Sequence, residues 1–246
     1  DVCSSDLIGL LLLLGSCQTV FGQQEGDDLG GRVAFAEEAT GAIVDMEPQL
    51  TDTEQRLVEL EKMVKDLQAK GVKAIGIDVL FDSPTEDDKD ALLKKTLESL
   101  AVPVFVSYTV TPSIVDEKQL EYLNHFLPSN IRASANLATD PFDGAVRWIF
   151  PGETEPGMPK SFPRVAAELY GVKTTAERTP IAWRPSASDG AAPFPVYPAH
   201  AIPLMPKDWF EGKIVLIGAI LSITDRHRTP LDRKSTRLNS SHEWIS

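Results

Sequence analysis

Cysteine is scarce in this chain: among 246 residues only Cys3 and Cys17 occur, both near the amino end. The body therefore holds neither a disulfide framework nor a thiolate metal site. Basic charge is also short, with 24 Lys and Arg against 36 Asp and Glu and a net charge of -12. A field of that sign repels phosphate backbones and anionic lipid surfaces, which argues against nucleic acid as a partner. The four histidines, His125, His200, His227 and His242, are too scattered to share one helix face, so no zinc-ligand spacing is present. Signatures of common enzymes are missing too. There is no Gly-x-x-x-x-Gly-Lys phosphate loop and no serine in a Gly-x-Ser-x-Gly turn. The run GKIVLIGA from Gly212 carries Gly218 without the companion glycines that let pyrophosphate approach a helix. No catalytic residue, metal ligand or cofactor is expected on these grounds.

Long apolar runs are limited to residues 7–20, LIGLLLLLGSCQTV, which carry no charge. That is short of the ~20 residues a spanning helix needs. The segment fits an incomplete membrane anchor over residues 8–22, a signal-peptide core without its basic leader, a lipoprotein signal ending at Cys17, or a buried helix. All but the last place the body outside the cytoplasm. At the far end, residues 233–246 (RKSTRLNSSHEWIS) have no hydrophobic period. They resemble the conceptual translation of sequencing-adapter DNA, as does DVCSSDL at residues 1–7; an ordinary disordered tail is the alternative. Both ends are thus expected to be foreign, with the natural termini missing.

Between them, hydrophobic content of 42% suffices for a sizeable core. Over residues 52–70, Leu57, Leu60, Met63, Val64 and Leu67 recur at three- and four-residue steps, which predicts a helix face. Asp52 and Gln55 suit its capping box and Gly71 its left-handed close. Residues 72–81 (VKAIGIDVLF) form a nearly continuous apolar run, the pattern of a strand buried on both faces in a parallel sheet. A second helix is predicted over 85–100, with Leu92, Leu93, Thr96, Leu97 and Leu100 inward and Glu86, Asp87 and Asp88 in its first turn. Further strands are predicted within 32–45 and at 102–110, 145–150, 181–184 and 213–220, and a helix over 161–170 closed by Gly171. Proline from Pro128 to Pro206 excludes long helices there. Helices alternating with strands through short connections predict an α/β fold: one domain with a mostly parallel central sheet flanked by helices and a proline-rich, irregular second half.

Three segments in order, GVKAIGIDVLFDSP at Gly71, DGAVRWIFP at Asp143 and FEGKIVLIGAILSITDRHRTPLD at Phe210, resemble the signature blocks of the second type of CHASE domain. These are extracellular sensors associated with cyclases and histidine kinases. The resemblance spans residues 32–232. It implies an extracytoplasmic sensor anchored in a membrane, carried by a receptor with an adenylate or guanylate cyclase or histidine kinase output, and able to homodimerise through that receptor. The chain departs from the family in the bulky Ile220, Leu221 and Ile223 that follow the last strand's glycine.

Candidate site residues are few. Asp78 ends the strand AIGID where open α/β sheets bind ligands. As an aspartyl nucleophile it would want an acid two residues on, and Leu80 stands there, so it is a pocket residue or a structural cap. Asp225 and Arg228 sit in the charged loop TDRHRTPLD, where an arginine can grip an anionic ligand with two hydrogen bonds; a wet surface loop is the plain alternative. Asp143 and Arg147 flank an Asp-Gly turn and are either ligand-facing or a turn former and a surface cation. Expected, then, is a sensor whose sheet-edge pocket, lined by Asp78, Asp143, Arg147, Asp225 and Arg228, holds an unknown small molecule. The competing expectations are a secreted or lipid-anchored metal-dependent hydrolase using those carboxylates, and a binding or scaffold protein with no output.

Overall fold

A computed structural model describes residues 42–45, 53–182, 194–218, 227, 229 and 230. The chain runs β1 (Ala42–Asp45), α1 (Thr53–Ala69), β2 (Ala74–Ile77), α2 (Asp87–Ser99), β3 (Val104–Tyr108), α3 (Glu117–Phe126) and β4 (Arg132–Ser134). It continues through β5 (Ala138–Thr139), β6 (Val146–Ile149), α4 (Phe162–Tyr170), β7 (Thr179–Pro180), β8 (Val196–Pro198) and β9 (Ile214–Gly218). Six strands make one sheet in the order β4-β3-β2-β9-β1-β8, with every pairing parallel. β5, β6 and β7 form a separate antiparallel sheet. The α/β class with a parallel sheet between helices is therefore as the alternating pattern predicts.

The central strands β2, β3 and β9 are buried on both faces, and each alternates between two cores. Ile75 and Ile77 of β2, Val104, Val106 and Tyr108 of β3, and Val215 and Ile217 of β9 pack with Leu60, Leu67, Leu93, Leu97 and Leu123 from α1, α2 and α3. Ala74, Phe105, Ile214 and Leu216 point the other way, against Phe162 and Ala166 of α4 and Val146 and Ile149 of β6. All five apolar positions of the first helix are buried, each contributing about 1.5–3 kcal/mol by leaving water. Gly71 closes that helix at φ +74°, and Gly171 closes α4 at φ +107°, the left-handed conformation in which a Cβ is penalised. In α2, Leu93, Thr96 and Leu97 are buried, but Leu92 is 46% exposed and lies on the solvent side.

Gly76 is the tight spot between β2 and its neighbours. A Cβ there would meet Phe105 Cζ at 2.6 Å and Leu216 Cδ2 at 2.7 Å, so the aromatic ring occupies the room the glycine leaves. Phe105 in turn meets Phe162 edge-on at 4.5 Å between centroids, which ties the sheet to α4.

Three strand predictions run past the described residues. Of the strand expected at 181–184, Ile181 and Ala182 are described and are not in a strand, Trp183 and Arg184 lie outside the described residues, and β7 is the preceding Thr179–Pro180; Ile181 still donates to the Arg147 carbonyl at 2.9 Å. Within 32–45 the described strand is Ala42–Asp45, sandwiched between β9 and β8. The last strand ends at Gly218 among the described residues. The helix α3 has no counterpart in the predicted elements, although Asp116 and Gln119 form a complete capping box at its start.

Candidate functional site

In a parallel sheet the carboxyl ends of the strands share one edge. Register places Asp45 of β1 opposite Gly218 of β9. The next residue after Ile77 is Asp78, whose N–H donates to the Ile217 carbonyl at 2.7 Å, so it continues the ladder alongside Gly218. Ser107 of β3 follows Val106, the partner of Ile77. Asp45, Gly218, Asp78 and Ser107 thus form one row across the carboxyl edge. Ser107 Oγ donates to Asp78 Oδ1 at 2.6 Å, and both residues are buried. A carboxylate taken this far from water must be held by donors, and this hydroxyl is one of them.

Beside it, the ends of β3 and β4 carry a second polar patch. Thr109 Oγ1 donates to Asn136 Oδ1 at 2.9 Å, Asn136 Nδ2 donates to Thr111 Oγ1 at 2.6 Å, and the Asn136 N–H reaches Ser134 Oγ at 3.3 Å. Helix α4 begins next to this patch: Ser161, its N-cap, bridges Ser134 in parallel. Its far end lies at the amino edge, where Lys73, just ahead of β2, donates to the Tyr170 carbonyl at 3.2 Å. Asp82, also buried, accepts from Gln119 Nε2 at 2.7 Å and so fastens α3 to the loop after β2.

Asp143 and Arg147 stand elsewhere, on the hairpin between β5 and β6. Arg147 grips Asp143 with both ends, Nη1 to Oδ1 at 2.7 Å and Nη2 to Oδ2 at 2.6 Å, and Asp140 Oδ2 accepts from Nη1 at 2.8 Å. The hydrogen bond to Asp143 raises the guanidinium pKa above its already high ordinary value. Asp143 Oδ1 also receives the Ala145 N–H at 3.1 Å, the local bond by which an aspartate shapes a turn. The structure therefore brings Asp143 and Arg147 together on the small sheet and sets Asp78 with Ser107 on the large one. Asp225 and Arg228, with Ile220, Leu221 and Ile223, lie outside the described residues.

A family model, the CHASE2 domain, matches residues 53–242. The chain belongs to the CHASE2 domain family. CHASE2 is a sensory extracellular domain of receptors and is not itself catalytic. No curated protein and no solved structure matches the chain. In this CHASE2 domain β1 lies ahead of the matched span yet pairs on both sides within the sheet. Among the described residues no helix is long and apolar enough to cross a membrane, and no three His, Cys, Asp or Glu side chains stand close enough to hold a metal ion.

Two groups at the edge of the CHASE2 sheet go unpredicted by the sequence reading. Ser107 had a usable signal, a lone hydroxyl within the otherwise apolar VPVFVSYTV. Ser161 had none, because its burial comes from a crossing with Ser134, 27 positions earlier in the chain.

Proposed function

We propose that this domain is the extracytoplasmic sensor of a bacterial transmembrane receptor whose output is an adenylate or guanylate cyclase or a histidine kinase. Membership of the CHASE2 family carries the reading. The ligand is a small molecule received at the carboxyl edge of the parallel sheet, the side on which such sheets present loops to ligands. Asp78 is the residue best suited to meet it, being a buried carboxylate held by Ser107 at that edge. Asp143 and Arg147, paired with one another, fit a rim whose guanidinium must exchange partners to engage a ligand; Asp225 and Arg228 fit the loop that follows β9. Binding acts by favouring one of two conformations, limited by the difference in affinity between them. The receptor works as a homodimer, with one such domain on each subunit.

The test is a topology reporter inserted after β9 in the complete receptor. An alkaline phosphatase fusion, which needs disulfides formed outside the cytoplasm, is expected to be active there, and a cytoplasm-dependent fluorescent fusion dark. A bright fluorescent fusion with an inactive phosphatase would overturn the assignment.

A further inference from the structure

Helix α4 starts in an unusual way. Its N-cap, Ser161, is fully buried, makes no side-chain cap hydrogen bond, and its hydroxyl has no partner among the described residues. An N-cap serine ordinarily accepts from the N–H of the second or third helical residue. Here the second is Pro163, which has no N–H. The Phe162 N–H is taken up by the Ser134 carbonyl in the parallel bridge, whereas the Arg164 N–H is one that the helix cannot satisfy within itself. A buried hydroxyl and a backbone N–H without a helical partner, at the positive end of the helix dipole, ask for an acceptor and favour a negative one. The Arg164 side chain, itself buried, adds a cation in the same turn.

A segment of the chain covers this spot. Residues 151–160 fold back on themselves through the Gly152–Lys160 bridge, and the Ser161 N–H donates to the Pro151 carbonyl at 3.3 Å. Arg164 Nη1 holds the segment down by donating to the Pro151 carbonyl at 2.7 Å and to Glu153 Oε2 at 3.1 Å. Gly152 at φ +73° has Pro159 O and Ser161 N each 2.4 Å from where a Cβ would stand, so the backbone layers are in direct contact.

We propose that Ser161 Oγ with the Arg164 N–H forms a binding site for one oxyanion group of a small ligand, a carboxylate or a phosphate or sulfate, reached when residues 151–160 lift. This rests on the sensor reading and specifies the chemistry of its ligand. The site lies at the carboxyl edge beside Ser134, so an occupant would separate the covering segment from the sheet.

The test is thermal melting of the purified chain, Asp1–Ser246, as wild type and as Ser161→Ala, with acetate, sulfate and phosphate titrated separately against chloride at matched ionic strength. Without oxyanion the Ser161→Ala chain is expected to melt at or above the wild-type temperature, since removing an unsatisfied hydroxyl removes a desolvation cost. At least one oxyanion is expected to raise the wild-type Tm saturably beyond the chloride control, acetate marking a carboxylate ligand and phosphate or sulfate a phosphoryl or sulfuryl one. Ser161→Ala is expected to weaken that binding by about tenfold. Should Ser161→Ala not fold, Ser161→Gly, a tolerated N-cap, carries the same comparison. A lower anion-free Tm for the folded variant would mean that a buried water already uses the hydroxyl, and would overturn the proposal, as would a wild type that responds to oxyanions no more than to chloride. Either failure leaves the sensor reading standing, because topology and receptor output test that separately.

Discussion

The two sheets of this domain are held by different forces. The six-stranded sheet is parallel, and its central strands β2, β3 and β9 are apolar on both faces and fixed by burial: Ile75, Ile77, Phe105, Val106, Val215 and Leu216 are each at most 1% exposed. The three-stranded sheet has strands of two to four residues, and charged groups add to the burial of Val146 and Ile149 in fastening it. Arg147 holds Asp140 and Asp143, and the Arg178 guanidinium lies 3.6 Å from the centroid of Trp148. The large sheet should therefore answer to changes in side-chain volume and the small one to changes in charge, salt and pH.

The comparison breaks first at Phe105. Truncation with Phe105→Ala removes a filled contact with Phe162 and Gly76 and is expected to cost about 3–5 kcal/mol, lowering Tm by roughly 6–20 °C. A drop no larger than that of a surface substitution would refute burial as the main force in the large sheet. Gly76→Ala is next, at about 1–3 kcal/mol from overpacking against Phe105 and Leu216. Because the clash is with side-chain tips, Phe105→Leu in the same chain should recover part of the loss; strictly additive losses would place the strain in the backbone instead.

In the small sheet, Arg147→Gln should lower Tm by less than Gly76→Ala, yet speed chymotrypsin cleavage after Phe142, which is 88% exposed at the hairpin tip. Raising salt to ~1 M should narrow the difference between Arg147→Gln and wild type. A Tm loss equal to that of Phe105→Ala would show that the hairpin is integral to the large core. The smallest effect concerns acid. Burial acts to raise the Glu168 pKa, but hydrogen bonds from Lys160 and Thr174 outweigh it and hold the carboxyl below its ordinary value. A carboxylate with a lowered folded pKa stabilises above its unfolded value of about 4.3, and that contribution disappears as pH falls through the folded value. The Tm gap between wild type and Glu168→Gln should therefore be present at ~pH 7 and close toward ~pH 3.

The same division decides what could be read from sequence. β2 and β9 were legible because a strand buried on both faces reads as one apolar run, and α1 because five apolar residues repeat at helical steps. α3 has no counterpart in the sequence reading, although Asp116, Gln119, Leu120, Leu123 and Phe126 spell a cap and a helical face. β4, β5, β7 and β8 are two or three residues long, too few to show a period of two, so only their tertiary partners define them. At the site, Asp78 stood out as a charge ending an apolar strand. The pairing of Arg147 with Asp143 was within reach of their four-residue spacing, whereas its extension to Asp140 depends on the hairpin that folds them together.

The most direct test of the account is receptor output. In the complete receptor, Asp78→Asn keeps an acceptor for Ser107 and removes one charge at the carboxyl edge. Measured as cyclic nucleotide formed or phosphate transferred, the response to the receptor's stimulus should be lost or strongly shifted, while the domain still folds and reaches the membrane. A full response at unchanged stimulus strength would contradict a ligand site at that edge.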